Sequence, residues 1–388
     1  MVKKVYLDYA ATTPVDPRVI KAMMPYFAKK YGNTMSLHVF GREASQAIEN
    51  SRKIVADYIN AKPEEIYFTS SATESNNLAL KGVAFANRQR KKHLIVSRVE
   101  HDCVLESSRW LRNQGFEVDY LSVDKHGLVD VNKLKKLIKK ETLLVSVIHG
   151  NNEVGTIQDI ANIGKLCQKK GVYFHTDVAQ SLGKVKINVS TMNIDLLTAS
   201  SRKIYGPKGA ACLYVRNGVI IEPIIHGGGH ERGLRSSTSN VAAIAGFAKA
   251  VEILKDKGDK ENKRITYLRD YLIEKILKKI QDTQLNGDKF KRLSNNINIS
   301  FFGVEGESLL LELDHYGIAV STGSACSSKT LEPSHVLLAL GLSPAEAHGS
   351  LRISLGRWTT KTDIEYFINI LVKSVKKLRK ISPAYVLH

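Results

Sequence analysis

Residues 198–209 read TASSRKIYGPKG and stand between two short apolar runs, at 194–197 and 211–215. The glycines and the proline after Lys203 break any regular element, so we expect this lysine on a loop between two strands. A lysine placed in this way can form an imine with an aldehyde cofactor. Its neighbours would then hold the cofactor's phosphate: Ser200, Ser201 and Arg202. On these residues alone, a surface turn with a solvated lysine is the simpler alternative, and the rest of the chain must decide.

The length and composition indicate a large globular protein. The chain has 388 residues, of which 43% are hydrophobic and 24% charged, and this length suggests more than one structural domain. No apolar run approaches the ~20 residues of a membrane span. The first residues lack the long apolar stretch of a secretory signal. We therefore expect a cytoplasmic protein without a membrane segment.

The formal net charge is +19 at pH 7, which could indicate a nucleic-acid partner. The basic residues are dispersed over predicted helix faces and turns, however, and no recognised nucleic-acid motif accompanies them. We therefore interpret them as a solvated surface and do not expect nucleic acid as a partner. An anionic cofactor or protein partner would also benefit from this charge.

The four cysteines show neither a CxxC pair nor zinc-type spacing, so free thiols in a reducing compartment are expected. Three of them lie in apolar or helix-like settings and are expected to be small buried hydrophobes: Cys103, Cys167 and Cys212. Cys326 lies among small polar residues, which predicts an exposed loop. An incidental free thiol and a used nucleophile are both open interpretations of Cys326.

Strand and helix patterns alternate through the first two thirds of the chain, which is typical of an α/β protein with a mostly parallel sheet. Strands are predicted over 66–69, 93–97, 116–122, 143–149, 172–176, 194–198 and 211–215, and helices over 17–30, 41–60, 75–90, 102–114, 130–140 and 159–170. Two long helices, over 240–257 and 260–282, precede a smaller unit that mixes strands at 296–302 and 351–355 with helices, the last over 360–380. We predict a large domain over 15–260 and a small α+β domain from 1–14 and 261–388, which includes the Cys326 loop.

Ligands of such sheets bind beyond the carboxyl ends of the strands. Five polar side chains follow predicted strands closely or end them: Thr73, His101, Asn152, Asp177 and Lys203. In addition, the strand at 66–69, a turn rich in hydroxyls and a helix form an anion-binding arrangement.

Each polar side chain near this edge also has a structural alternative. Asp177 could pair with a protonated pyridine nitrogen, or simply cap a helix. His101 could stack on an aromatic cofactor and move protons, or be a capping or core histidine. Asn152 belongs to a polar segment that suits either ligand contacts or a turn. Arg352, within a strand pattern, could clamp a substrate carboxylate or form a surface salt bridge.

The glycine-rich stretch 227–238 could close over a phosphate or serve a subunit interface. A metal site at His226 and His230 is disfavoured, because the glycines prevent a rigid helix.

Taken together, these motifs resemble pyridoxal-phosphate enzymes of the aspartate-aminotransferase fold and, more narrowly, cysteine desulfurases of the NifS/IscS type in the class-V aminotransferase family. The resemblance covers nearly the whole chain. It rests on YLDYAATTP at 6–14, SATESNN at 71–77, HGNNEVG at 149–155, KIYGPKG at 203–209, GGGHERG at 227–233, GSAC at 323–326 and LEPS at 331–334.

The resemblance implies a role for each matching residue. Lys203 would carry the cofactor and move the Cα proton, Asp177 would pair with the ring nitrogen, and His101 would stack on the ring. Gln180 would contact the ring hydroxyl, and the phosphate would be held by Ala72, Thr73, Ser200 and Arg202, with Thr238 entering from a second subunit. Asn152 and Ser201 are also expected to contact the cofactor. The substrate would be bound by Arg352, Asn152 and Asn33, and Cys326 would attack the substrate's sulfur.

The implied reaction converts L-cysteine to L-alanine and leaves a persulfide on Cys326. The sulfur would pass to an iron–sulfur scaffold protein or another acceptor, from a homodimeric enzyme. No intrinsic metal site is expected, although Cys326 could act as an iron–sulfur ligand shared with a scaffold. The alternatives are a selenocysteine lyase or another class-V pyridoxal-phosphate enzyme, and a basic nucleic-acid-binding protein with a degenerate enzyme fold.

Three features depart from the family pattern. Arg202 stands where the family usually has histidine, and we predict that it contacts the cofactor phosphate. Thr34 follows Asn33 where proline is usual. Many relatives extend further beyond the position of His388, in a tail that contributes to scaffold docking, so the partner is left open.

Overall fold

The computed structural model describes residues 3–323, 332–382 and 385. Its strands are β1 (Val5–Tyr6), β2 (Ile66–Thr69), β3 (His93–Ser97), β4 (Glu117–Leu121), β5 (Thr142–Ser146), β6 (Tyr173–Asp177), β7 (Leu196–Ser200), β8 (Ala211–Val215), β9 (Thr283–Leu285), β10 (Asn296–Phe301), β11 (Ile318–Ala319) and β12 (Ser350–Ser354).

The helices pack around these strands, and a π-helical turn at Leu78–Gly82 joins the fourth to the fifth. They are α1 (Pro17–Met23), α2 (Pro25–Ala28), α3 (Val39–Ile59), α4 (Ala72–Asn77), α5 (Val83–Ala86), α6 (Asp102–Asn113), α7 (Val131–Leu137), α8 (Ile160–Lys170), α9 (Val241–Lys279), α10 (Gly306–His315), α11 (His335–Ala339), α12 (Pro344–His348) and α13 (Lys361–Ile381).

A seven-stranded sheet with the order β2-β8-β7-β6-β5-β3-β4 forms the centre of the larger part of the chain. Neighbouring strands from β7 to β4 are parallel, and only β8 runs against its neighbours. Strands β3, β5, β7 and β8 are buried along their whole length, because helices cover both faces of the sheet. The expected fold class is confirmed by this mostly parallel sheet.

A smaller mixed unit follows in the last third of the chain. An antiparallel sheet with the order β12-β10-β9 packs with α10 and α13, and β1 pairs in parallel with β11. Its buried cluster includes Leu7 as well as Ile265 and later residues, whereas the main cluster around the large sheet ends at Leu254. The proposed division into 15–260 against 1–14 and 261–388 stays a prediction, which these clusters support.

Two predicted helix boundaries were wrong. The two long helices predicted over 240–282 are one helix, α9, of 39 residues. It contains no proline, and Gly258 is buried against Gly183, so the glycine costs only about 1 kcal/mol and does not end the helix. The helix predicted over 17–30 is instead split into α1 and α2, because Pro25 begins the second one.

Among the described residues, no helix combines the length and the apolar character that a membrane crossing requires.

Candidate active site

The carboxyl ends of β3, β5, β6 and β7 meet at one edge of the large sheet, and β2 ends at the same edge. A cavity of about 340 Å³ lies there. The predicted site residues that line it are Ala72, Thr73, His101, Asn152, Asp177, Gln180, Ser200, Arg202, Lys203 and Arg352. The large sheet, together with β12 of the small sheet, therefore brings residues from distant parts of the chain to one cavity.

Lys203 lies in the 3₁₀ turn Ser201–Lys203, directly after β7. Its Nζ donates hydrogen bonds to the backbone carbonyls of Ala10 and Ala11, at 2.8 Å for Ala11. Burial, followed by the positive charges of Arg202 and Arg352, holds the pKa of Lys203 well below its usual value. Since the neutral amine is the nucleophilic form, Lys203 is suited to covalent attachment of an aldehyde. The alternative of a solvated surface lysine is wrong.

Asp177 is the last residue of β6 and is only 4% exposed. One carboxylate oxygen accepts a hydrogen bond from the backbone N–H of Ala179 at 2.8 Å, and the other accepts one from Nδ2 of Asn76 at 2.7 Å. Both donors are neutral, so they orient the carboxylate without neutralising it. This end of the cavity can therefore receive a cationic ring nitrogen.

Another part of the cavity wall is suited to an anion. Ser71 caps α4 by accepting a hydrogen bond from the backbone N–H of Glu74, so the first turn of the helix borders the cavity. The guanidinium of Arg202 donates to the carbonyl of Ala11 at 2.8 Å and also lines the cavity. Hydroxyl groups of Thr73 and Ser200 complete this wall. Arg202 is thus not turned away from the site, and its contact with a phosphate stays a prediction.

Arg352 extends from β12 with a side chain that is 3% exposed. Its Nη2 lies 3.0 Å from the carboxylate of Asp8, and its Nη1 donates to the carbonyl of Asn152 at 3.3 Å. The alternative of a surface salt bridge is wrong, because Arg352 is buried and lines the cavity, although Asp8 is only partly buried. A substrate carboxylate that binds Arg352 must either share the guanidinium with Asp8 or displace the Asp8 carboxylate from it.

His101 caps α6 and faces the cavity. Its Nδ1 accepts a hydrogen bond from the backbone N–H of Cys103 at 3.2 Å, so the cap and the site are made by the same ring. The alternatives of a capping and a functional histidine are therefore compatible. The ring-stacking role stays a prediction.

Glu100, directly before His101, is fully buried. The backbone N–H of Ile148 donates to it at 2.5 Å, while its other oxygen has no hydrogen-bond partner among the described residues. Burial, reinforced by the nearby charge of Asp177, raises the pKa of Glu100 to about 8. A second carboxyl group next to Asp177 is thus held in its neutral form at pH 7.

Three predicted residues do not line the cavity of this chain: Ser201, Asn33 and Thr238. Ser201 is buried, and its hydroxyl group points at Gly206. A Cβ atom added at Gly206 would lie 2.0 Å from the hydroxyl oxygen of Ser201. This direction does not support a contact between Ser201 and the phosphate. Asn33 and Thr238 are exposed, and neither lines the cavity. Cys326 lies outside the described residues.

Sequence reasoning missed several residues at this site. Asp8 and Asn76 stand within quoted motifs, but nothing in the sequence shows that their side chains contact Arg352 and Asp177. Cys103 was expected to be a buried hydrophobe like Cys167 and Cys212, which are indeed buried. It is instead only partly buried and lines the cavity, and this expectation was wrong. Its place two residues after His101, in the first turn of α6, was the available signal.

A separate group of metal-ligating side chains lies at the other edge of the sheet: His93, Glu117 and Asp119. The ring Nε2 of His93 lies 3.2 Å from Asp119, and the ammonium group of Lys139 pairs with Glu117 and lies 3.8 Å from Asp119. Lys139 and His93 already act as partners of these carboxylates, so the group needs no metal ion to explain it.

The cavity's donor set fits pyridoxal phosphate. Hydroxyl groups, a guanidinium and the amine of Lys203 line the cavity, and the carboxylate of Asp177 is available for the ring nitrogen. The buried side-chain oxygen of Asn152 has no hydrogen-bond partner among the described residues, as expected where a ligand supplies one.

Comparison with known proteins identifies the family. The model of the class-V aminotransferases matches residues 5–367. This chain belongs to that family.

Curated relatives and solved structures agree with the family assignment. The chain is 51% identical to the cysteine desulfurase IscS of Dictyoglomus turgidum, over 99% of this chain and 97% of the relative, and 48% identical to that of Methanosarcina thermophila, over 98% and 94%. A solved NifS-like protein matches with a TM-score of 0.91 at 38% identity, over 97% of this chain and 100% of its own. A structure described as SspA in complex with cysteine matches with a TM-score of 0.81 at 39% identity, over 92% and 100%. The expected family, enzyme class and dependence on pyridoxal phosphate are confirmed.

Proposed function

We propose that this chain converts L-cysteine to L-alanine and transfers the sulfur to the thiol of Cys326. The observation that carries the proposal is the position of Lys203, whose pKa is lowered and which shares one cavity with Asp177 and Arg352. The relatives named as cysteine desulfurases support the substrate, and so does the cysteine complex of a similar structure.

The residues that line the cavity would have different roles in binding the cofactor and in catalysis. Bound pyridoxal phosphate supplies an electron sink for the negative charge that develops at the substrate's Cα. Lys203 would hold the cofactor's aldehyde carbon and then carry the Cα proton on Nζ. Asp177 would bind the ring nitrogen, and Arg202 the phosphate together with Ala72, Thr73 and Ser200. Gln180 donates to the carbonyl of Ala10 at 2.9 Å and would contact the ring's hydroxyl group through its remaining polar atoms.

The substrate would be oriented by its carboxylate. Arg352 would bind this group by bidentate hydrogen bonds, and Asn152 beside it would supply a further polar contact. His101 would cover the ring and move protons at the ring's exposed face. The fixed orientation of these groups excludes unproductive substrate poses.

We further propose that the Cys326 thiolate attacks the substrate's sulfur. The S–S bond of a persulfide forms, the substrate's C–S bond breaks, and the carbon chain leaves as alanine after protonation. The persulfide sulfur then passes to a thiol acceptor or an iron–sulfur scaffold. This step rests on the sequence resemblance, because Cys326 is outside the described residues.

We propose a homodimer, which an exposed apolar surface supports. Eight large side chains between residues 20 and 40 are exposed: Ile20, Met24, Phe27, Tyr31, Met35, Leu37, Val39 and Phe40. Exposed apolar side chains this close together in the chain are typical of an interface. Asn33 lies within the same stretch, so a second copy on this surface would explain how Asn33 and Thr238 reach a cavity other than their own.

A cytoplasmic location is also proposed, and the free thiols Cys103, Cys167 and Cys212 support it.

The direct test is alanine and sulfide formation from L-cysteine by the purified protein loaded with pyridoxal phosphate. Lys203→Ala should abolish both the covalent cofactor spectrum and alanine formation. Cys326→Ala and the near-isosteric Cys326→Ser should keep the spectrum and lose alanine formation. Alanine formation by the Cys326 variants would contradict the sulfur-attack step and favour a lyase that acts on selenocysteine.

The dimer is tested by light scattering on the loaded protein. The wild-type chain should have the mass of two copies, and Leu37→Glu with Phe40→Glu should shift it towards one copy. A fully active wild-type monomer would contradict the proposal.

A further inference from the structure

Cys103 occupies an unexpected position between two groups of the site. It lies in the first turn of α6, and its side chain lines the cavity. Its Sγ is 3.1 Å from Nδ2 of Asn76 and 3.2 Å from Nδ1 of His101. Asn76 itself is fully buried and belongs to α4, so the thiol joins two helices at the cavity wall.

The hydrogen-bond partners of Asn76, Cys103 and His101 determine where the protons between these side chains lie. Asn76 must direct its NH₂ group at Asp177, 2.7 Å away, because its carbonyl oxygen would be repelled by a carboxylate. The same NH₂ group reaches Cys103, so the sulfur accepts this hydrogen bond. The backbone N–H of Cys103 donates to Nδ1 of His101, so that nitrogen carries no proton. The thiol S–H can donate to the same nitrogen as the second donor of a three-centre hydrogen bond, because Nδ1 has a single in-plane lone pair.

We propose that Cys103 is a positioning residue that couples the His101 ring to Asp177 through the amide of Asn76. The thiol holds the ring at a fixed angle over the cavity, while the backbone cap keeps the ring proton on Nε2. The inference rests on the proposed function in one respect, because only a ring cofactor between Asp177 and His101 makes their relative position matter for rate.

A purely structural thiol would behave differently from a coupling thiol. If Cys103 only filled space, Cys103→Ala would be tolerated and Cys103→Ser, which places a hydroxyl in the same gap, would be the worse variant. If Cys103 couples the two groups, serine keeps a donor and an acceptor and alanine removes both, so the order is reversed.

The test uses the cofactor-loaded protein with ¹⁵N-labelled histidine. The His101 resonances are assigned by their loss in His101→Gln. In the wild type and in Cys103→Ser, the ring nitrogen shifts should indicate a proton on Nε2 and none on Nδ1. In Cys103→Ala, the backbone N–H still caps Nδ1, so the proton should stay on Nε2, and the Nδ1 shift should move towards the value of a nitrogen that has lost one hydrogen-bond donor. The visible circular dichroism of the bound cofactor should change in the same order.

The expected loss of kcat is about 3- to 10-fold for Cys103→Ala, with partial recovery in Cys103→Ser, as for one neutral hydrogen bond. Cys167→Ala is the matched control, because it removes a buried thiol from α8 in the main core. It should lower the melting temperature and leave the His101 resonances unchanged.

Two results would overturn the coupling. One is a Cys103→Ala protein with wild-type His101 resonances, and the other is a Cys103→Ser protein that is more perturbed than Cys103→Ala. The resonances are read without substrate, so they test the coupling even if no alanine is formed from cysteine. Failure of alanine formation in the wild type would instead contradict the proposed function.

Discussion

The Asp177 and Arg352 walls of the cavity hold buried charges in different ways. Asp177 is 4% exposed and Arg352 is 2% exposed, so both charges are removed from water. The partners of Asp177 are neutral N–H groups of Ala179 and Asn76. Arg352 instead contacts a carboxylate, that of Asp8, at 3.0 Å.

This difference indicates what each wall requires from a ligand. A buried charge is costly unless an opposite charge meets it, and the chain itself leaves Asp177 without one among its direct partners. That wall is prepared for a cation, as a protonated ring nitrogen would be. The Arg352 wall is already neutralised, so in our proposal a substrate carboxylate would compete with Asp8. Cofactor binding would then complete the first wall, whereas substrate binding would rearrange the second.

The largest expected effect comes from removing the charge of Asp177. Asp177→Asn keeps the shape but loses the negative charge, and kcat for alanine formation should fall by about 10² to 10³-fold. Steady-state kinetics with saturating cofactor would measure this loss. Asp195→Asn is the matched control, since Asp195 pairs with Arg216 at the start of β7 and should affect stability alone. A kcat within twofold of wild type for Asp177→Asn would remove the distinction between the two walls.

The next effect concerns substrate binding. Arg352→Lys removes bidentate binding of a carboxylate, so KM for L-cysteine should rise by about 10- to 100-fold, with a smaller change in kcat. Initial rates over a range of cysteine concentrations would separate the two constants. Arg357→Lys offers a control, because the Arg357 side chain is 8% exposed and pairs with Asp16 and Glu261. It should lower stability and leave KM unchanged, and an equal rise of KM in both variants would contradict the assignment.

Glu100 tests whether the Asp177 wall carries only one negative charge. Because the folded pKa is about 8 and the ordinary value is 4.5, Glu100 favours folding below pH 4.5, and this contribution is lost as the pH rises towards 8. Glu100→Gln should therefore raise the melting temperature relative to wild type by about 5 °C at pH 9, and by much less at pH 5. Calorimetry of the loaded protein at the two pH values would measure the difference.

Glu74 provides a control of opposite sign. Burial alone would raise the pKa of Glu74, but hydrogen bonds from Arg235 and Ser70 outweigh burial and lower it. Its contribution to stability is present above pH 4.5 and is lost as the pH falls through the lowered value. Glu74→Gln should accordingly reduce the melting temperature at both pH 5 and pH 9. The same response from both variants would contradict the neutral state of Glu100.

The smallest expected effect is at Asp8. Asp8→Asn removes the carboxylate that competes for Arg352, and KM for L-cysteine should fall by about 2- to 5-fold, as for a partly exposed ion pair. Isothermal binding of a non-reactive cysteine analogue would give the same ratio. A raised KM would show that Asp8 orients Arg352 more than it competes with the substrate.

The sequence predicted the parts of the site that depend on strand ends. Asp177 and Lys203 each follow an apolar strand pattern, and parallel strands bring their carboxyl ends to one edge. It could not predict contacts that depend on how elements pack, such as Asn76 of α4 against Cys103 of α6. Nor could it give the direction of Ser201, which is fixed by the turn at Gly206. The places of Asn33 and Thr238 depend, in our proposal, on a second copy of the chain.

The 39-residue helix α9 affects how the protein unfolds. At about 1.5 Å per residue it is a rod of ~58 Å, and its first half packs in the main cluster while its second half packs in the cluster of the smaller sheet. Neither cluster can lose this helix without exposing apolar side chains along the same continuous rod. Unfolding should therefore spread from one cluster to the other as a single cooperative event, in spite of the two separate cores.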